Sequence, residues 1–238
     1  MGIKLIVGLS LLVINLNLLP AAQRPVAMVR TIAINRAQQA AKLHAAIRTD
    51  LVYLVRRVLE EPGTDVNGED ELGNTPLHTA VTLGHPEVVE TVLRWPGVNV
   101  NAQSGDMRFA PLHAAVRVSG GLNYWQEDDR RTILRMLLDE RDIQVNCVTR
   151  RATTPLYYAV NALNDKDVWA LLGHPDLKVD LMSLNLVKIF NATREVGLMP
   201  LAEDQLLNMT RRDKIFDMVN AKAGLAVRVQ SSLNKKYY

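Results

Sequence analysis

A dipeptide, Val-Asn or Val-Asp, returns along the chain at Val66-Asn67, Val100-Asn101, Val145-Asn146 and Val179-Asp180, at spacings of 34, 45 and 34 residues. Seven positions before each Val stands a Leu (Leu59, Leu93, Leu138, Leu172), and four before it a turn position filled by Pro62, Pro96, Arg141 and Pro175. Four copies in register constrain the fold strongly. A unit of this length cannot bury its own apolar face, so such units are stable only when stacked on one another.

Each of those leucines closes an apolar stripe spaced i, i+1, i+4, i+5, the pattern of one helix face. The stripes are Leu54, Val55, Val58, Leu59; Val88, Val89, Val92, Leu93; and Ile133, Leu134, Leu137, Leu138. The fourth copy carries Asp167 in its first slot and is degenerate there. Upstream of the stripes lie Lys42-Leu43-His44, Pro76-Leu77-His78, Pro111-Leu112-His113 and Pro155-Leu156-Tyr157, each read as the start of a shorter first helix. The fullest copy runs Gly73-Asn74-Thr75-Pro76-Leu77-His78-Thr79-Ala80-Val81, then Gly84-His85-Pro86-Glu87-Val88-Val89, and closes on Val98-Asn99-Val100-Asn101-Ala102. Thr75 is placed to cap the first helix, and Pro76 to occupy its first turn, where a missing N–H costs little. Gly84 suits the left-handed conformation that ends a helix, and Pro86 starts the next.

These residues resemble the ankyrin repeat, over about residues 41 to 182. The resemblance implies an all-α, helix-turn-helix solenoid with β-hairpin fingers. Arg108 and Ala152 stand where the family usually has the finger glycine, so those two tips are expected to bend differently. At the family's helix-start position, the His78 and His113 imidazoles are expected to tie repeats together through backbone hydrogen bonds. His44, His85 and His174 converge on nothing in the sequence.

The family's ligands usually lie on a concave face of finger tips and first helices. Carried over position by position, that face presents Glu71, Leu72, Asn74 and Thr82, then Asp106, Met107, Phe109 and Arg117, then Arg150, Arg151, Thr153 and Asn161. Its first tip, Glu69-Asp70-Glu71, is acidic, and its third, Arg150-Arg151, is basic; a partner with the opposite gradient gains steering and register. Phe109 is the preferred hot spot.

The period of 45 arises from ten extra residues between the two helices of the third copy, at about 120–131, and one more in its finger. Trp125 in that insert is either a partner anchor, since large aromatics dominate interfaces, or a cover for adjacent helix ends.

The flanks are read as caps. Val26, Val29, Ile32 and Ala33 repeat at helical spacing over 24–41, ahead of the repeats at 42–182. Residues 183–238 form a helical capping region and basic tail, with Met199-Pro200-Leu201 as a degraded repeat start and Ile215, Phe216 and Val219 as its second-helix stripe. Lys4, the apolar run Leu5 to Leu19 and Pro20-Ala21-Ala22 have the layout of a signal peptide over 1–22. Pro20, three positions before a cut after Ala22, makes that site imperfect and leaves an uncleaved membrane anchor as the alternative, ahead of a buried core helix.

Catalysis and cofactors find no foothold. The lone cysteine, Cys147, precludes an intramolecular disulfide and a cysteine-rich zinc site, and it occupies a finger slot held elsewhere by Gly68 and Ala102. A nucleophile needs a base and an oxyanion site, and neither these nor a metal-ligand spacing or phosphate loop is apparent. Charged residues, at 22% of the chain, nearly cancel to a formal +3, which sets nucleic acid aside. Asn191-Ala192-Thr193 and Asn208-Met209-Thr210 match the glycosylation acceptor, a triplet common by chance. The expectation is an exported, monomeric, non-catalytic module without cofactor or metal. It binds a protein partner, as a secreted factor acting on a host protein or, alternatively, as a membrane-anchored or periplasmic scaffold. Membrane contact is expected only if the amino-terminal segment is retained.

Overall fold

A computed structural model describes residues 24–117, 127–180, 182–185, 211 and 213–224. The run Leu5 to Leu19, the insert residue Trp125, both glycosylation triplets and Met199-Pro200-Leu201 lie outside them. Eight helices follow in order: α1 (Arg24–Arg48), α2 (Val52–Leu59), α3 (Pro76–Leu83), α4 (Pro86–Leu93), α5 (Pro111–Arg117), α6 (Glu127–Leu138), α7 (Pro155–Asn161) and α8 (Asp165–Gly173). Residues 213–224 form a further helix. The helix expected at 24–41 and the first helix of the first copy run together as α1.

The local signals read from the fullest copy act as expected. Thr75 caps α3 by accepting the His78 N–H, while His78 returns the contact to the Thr75 N–H, closing a capping box. Thr154 caps α7 through the Tyr157 N–H at 3.1 Å. Gly84 ends α3 with φ of 75°. The equivalent turn residues Asp50 and Leu163, at φ of 57° and 52°, take the same left-handed path without being glycine.

The helices lie in two rows. α1, α3, α5 and α7 pack in sequence as one, and α2, α4, α6 and α8 as the other. Between the rows runs one apolar core from Leu43 to Val219, in which the predicted stripes are buried or half-buried. Ile215 and Val219 of the 213–224 helix join that core fully buried. A single helix pair exposes an apolar flank, and the next pair covers it.

Side-chain amides fasten each unit to the next. Asn67 donates to the Gly97 carbonyl at 2.8 Å and accepts the Asn99 N–H at 2.7 Å. Asn101 does the same with Asp142 and Gln144, and Asn146 with Asp176 and Lys178. The recurring Val-Asn is thus a buried Val beside an inter-repeat clamp. In the last copy Asp180 accepts instead from Thr154 Oγ1 at 2.7 Å and from the Ser183 N–H at 2.8 Å.

The fingers are tight turns rather than strands. Among the described residues the only β pairing is an isolated antiparallel bridge between Ser104 and Phe109. The extra finger residue sits in that tip, whose closure spans Ser104 to Phe109 where the neighbouring tips close from Asp70 to Asn74 and from Thr149 to Thr153. The bend expected from the missing glycine at Arg108 and Ala152 is not found at those two residues. Both adopt positive φ, 56° and 57°, as Gly73 does at 76°. The turn's hydrogen bonds impose the left-handed conformation whether or not the residue has a Cβ.

Part of the insert is helical. α6 has 12 residues where α2 and α4 have eight, and its added first turn carries Arg130. Arg130 Nη1 pairs with Asp167 Oδ2 on α8, both side chains buried. The apparent flaw in the fourth stripe is therefore the mate of a charge supplied by the insert.

Candidate partner-binding face

Three of the four helix-start positions carry histidines that bridge successive units. His78 Nε2 donates to the Phe109 carbonyl at 2.9 Å, and His113 Nε2 to the Thr153 carbonyl at 3.2 Å. His44, set apart in the sequence reading, belongs with them: its Nε2 donates to the Gly68 carbonyl at 3.0 Å and its Nδ1 meets Thr79 Oγ1 at 2.8 Å. A carbonyl only accepts, so Nε2 carries the proton in each. The Ala110 N–H donates to His113 Nδ1 at 3.2 Å, which needs a neutral ring. Burial lowers all three, His113 to about 4.

Cys147 has a neighbour the sequence did not announce, since its Sγ lies 3.6 Å from His113 Nδ1. Reactivity would need a thiolate beside an imidazolium. Burial instead pushes the thiol up to about 12 and the imidazole down, so the pair is two neutral groups packed in the finger. Among the described residues no group of three or more His, Cys, Asp or Glu converges as a metal site.

The histidines fix the finger tips over the first helices, and the tips in turn touch one another. The Arg150 N–H donates to the Met107 carbonyl at 2.8 Å, joining the second tip to the third. A Cβ built on Gly73 would stand 3.4 Å from the Gly105 nitrogen, so the first tip abuts the second. Asp70 organises the first tip by accepting the N–H groups of Leu72 and Asn74 at 2.9 and 2.8 Å. Burial works against its charge, but hydrogen bonds from Asn74 and Leu72 together hold its carboxyl below the usual range. The outward acidity of that tip therefore rests on exposed Glu69 and Glu71.

Phe109 anchors the middle of the face. Its half-buried ring meets His113 edge-on at 5.7 Å and Tyr158 at 5.6 Å, and the Arg117 guanidinium lies 4.9 Å from the ring centroid. Such a cation over an aromatic face is attracted by the ring quadrupole. Tyr158 was missed in the sequence reading; its signal was a second tyrosine after Tyr157, where the other copies place Thr79 and Ala114.

The remaining candidates divide. Glu71, Leu72, Thr82, Asp106, Arg150, Arg151 and Asn161 are exposed, Leu72 at 74%, and Met107 is half-buried. Asn74 turns back to Asp70 Oδ2 at 3.3 Å. Thr153 is buried, its hydroxyl 2.6 Å from that of Thr149, and presents nothing to a partner.

The family model for ankyrin repeats (3 copies) matches residues 27–104 and 43–124. The chain carries ankyrin repeats. Human Rabankyrin-5 is 34% identical over 114 residues, 47% of this chain and 9% of its own length. The human transient receptor potential cation channel subfamily A member 1 is 31% identical over 131 residues, covering 55% of this chain and 11% of the channel. Mouse NF-kappa-B inhibitor delta is 32% identical over 124 residues, 48% of this chain and 38% of its own. The chain thus spans only a small part of the relatives it matches. An ankyrin stack is a protein–protein interaction module, typically a non-catalytic scaffold.

Proposed function

We propose that this ankyrin stack binds its protein partner on the face formed by the finger tips and the first helices, centred on Phe109. The observation that carries the reading is the Phe109 ring, held by His113 and Tyr158 with Arg117 upon it, between an acidic first tip and the basic third. A rigid aromatic with a cation beside it has the make-up of an interface anchor. The flanking tips supply steering and register for a partner of opposite gradient. Recovery of the partner from the protein's own compartment, with wild type and with Phe109→Ala/Arg150→Ala, tests the face. Loss of recovery with unchanged circular dichroism is expected, and undiminished recovery of the same partner overturns the reading.

The signal-like layout of residues 1–22 supports export, so the target is a protein outside the producing cell. Amino-terminal sequencing of the exported protein is expected to find a start near Gln23, which leaves a secreted module. A start at Met1 or Gly2 on membrane-bound material would replace it with an anchored scaffold.

A further inference from the structure

The charges of the finger tips make the Phe109 face complementary to itself. In the first tip, Arg48 Nη2 lies 3.8 Å from Asp70 Oδ2, which leaves exposed Glu69 and Glu71 as the surplus. The third tip carries exposed Arg150 and Arg151. Two carboxylates at one end therefore match two guanidinium groups at the other. Between them the second tip exposes one residue of each sign, Asp106 and Arg108, beside the Phe109 ring and its Arg117. The spacing is as even as the charge. A Cβ on Gly73 would stand 3.4 Å from the Gly105 nitrogen, and the Arg150 N–H reaches the Met107 carbonyl at 2.8 Å, so the second tip is the midpoint of a continuous row. A two-fold axis through it carries the first tip to the place of the third. In such an isologous contact residue i of one copy meets residue j of the other, and j meets i. Here Glu69 and Glu71 of each copy oppose Arg150 and Arg151 of the other, Asp106 opposes Arg108, and the two Phe109 rings come together at the centre. A row with both ends of one sign would repel its own copy under the same operation. Head-to-tail stacking would leave an unmatched end on each outermost copy, whereas the two-fold pair matches both ends at once.

We propose that a second copy of this chain docks on the Phe109 face about a two-fold axis, first tip to third, so that the outside partner binds by displacing one copy. The displacement rests on the reading of that face as the partner surface. Contact confined to three tips and one aromatic centre makes a small interface, so the dimer is weak and forms at high concentration. The monomer expected from the sequence is then the dilute state. Added salt loosens the pair, because the charges at its two ends are exposed.

Sedimentation of the full chain over a concentration series is expected to show monomer passing to dimer and no further. Glu69→Lys/Glu71→Lys makes both ends positive, and Arg150→Glu/Arg151→Glu makes both negative. Each variant alone is expected to stay monomeric. Their equimolar mixture is expected to form a heterodimer, because its ends are again opposed, and Phe109→Ala to weaken the wild-type dimer roughly tenfold or more. Thermal melts establish that each variant is folded. The proposal is overturned if wild type stays monomeric up to about 1 mM, if assemblies grow past the dimer, if either charge-reversed variant or Phe109→Ala dimerises as wild type does, or if the mixture stays monomeric. None of these readouts involves the outside partner. A chain that never dimerises, but whose Phe109→Ala/Arg150→Ala variant loses the partner, therefore sinks the pairing and keeps the face. Undiminished recovery of the partner beside a charge-dependent dimer takes the partner off the face and leaves the pairing.

Discussion

Arg108 and Ala152 show how a residue can depart from a motif without changing the conformation the motif encodes. Each sits at a left-handed φ that a Cβ disfavours, held by the turn hydrogen bonds from Arg108 N–H to Gly105 and from Ala152 N–H to Thr149. Glycine removes that steric penalty but restores freedom to the unfolded chain, so the net gain is modest. Arg108→Gly and Ala152→Gly are each expected to stabilise the protein by about 0.5–1 kcal/mol, read as a higher urea midpoint. A lower midpoint for both would mean that neither position is strained. Phe109, Arg117 and Arg150 were legible as candidates because their register positions were fixed by the repeat. Their grouping with Tyr158 was not, because the family pattern marks Tyr158 as nothing special. Nor was the burial of Thr153, since an extended finger residue points in or out according to the hydroxyl it finds.

The second helices were legible from their stripes, and the exception at Asp167 was legible only as a defect. Its partner Arg130 lies in the insert, where no repeat register predicts what faces what. Removing one member of such a pair leaves the other charged and buried, whereas replacing both by apolar groups is often neutral or better. Asp167→Ala is therefore expected to cost about 3–5 kcal/mol, and Arg130→Leu/Asp167→Val to recover most of that loss in denaturant titration. A double variant as unstable as the single would show that the pair itself, not the stranded charge, matters. The fingers were overread for a physical reason. A five- or six-residue closure leaves room for a turn and one bridge, too few paired residues for a strand.

Across the whole molecule, three neutral histidines joining successive units make stability pH-dependent. Between the ordinary imidazole value of 6.5 and the folded value of about 4, the unfolded chain takes up a proton that folded His113 refuses. Stability is thus complete above that window and falls as pH drops through it, by about 3 kcal/mol from His113 alone. His44 and His78 act in the same direction. Asp70, whose carboxyl is held low in the fold, adds its loss only at more acidic pH. Urea titrations at steps from pH 7 to 4 are expected to show this slope, and His113→Gln to flatten it. A variant slope equal to that of wild type would mean that folded His113 takes up its proton as readily as it does in the unfolded chain. The stacked architecture itself was legible because a period survives in the sequence even where individual copies drift. The inter-unit clamp was visible as Val-Asn but mute about its purpose, since one asparagine looks like another until its partner in the next unit is known. Asn67, Asn101 and Asn146 each reach forward to a carbonyl and an N–H that any unit of this shape offers at the same place. The two middle units therefore carry both the hook and the eye. A gene that duplicated or lost one such segment would still encode a continuous chain of fastenings, and the array can change length in evolution without a compensating change elsewhere.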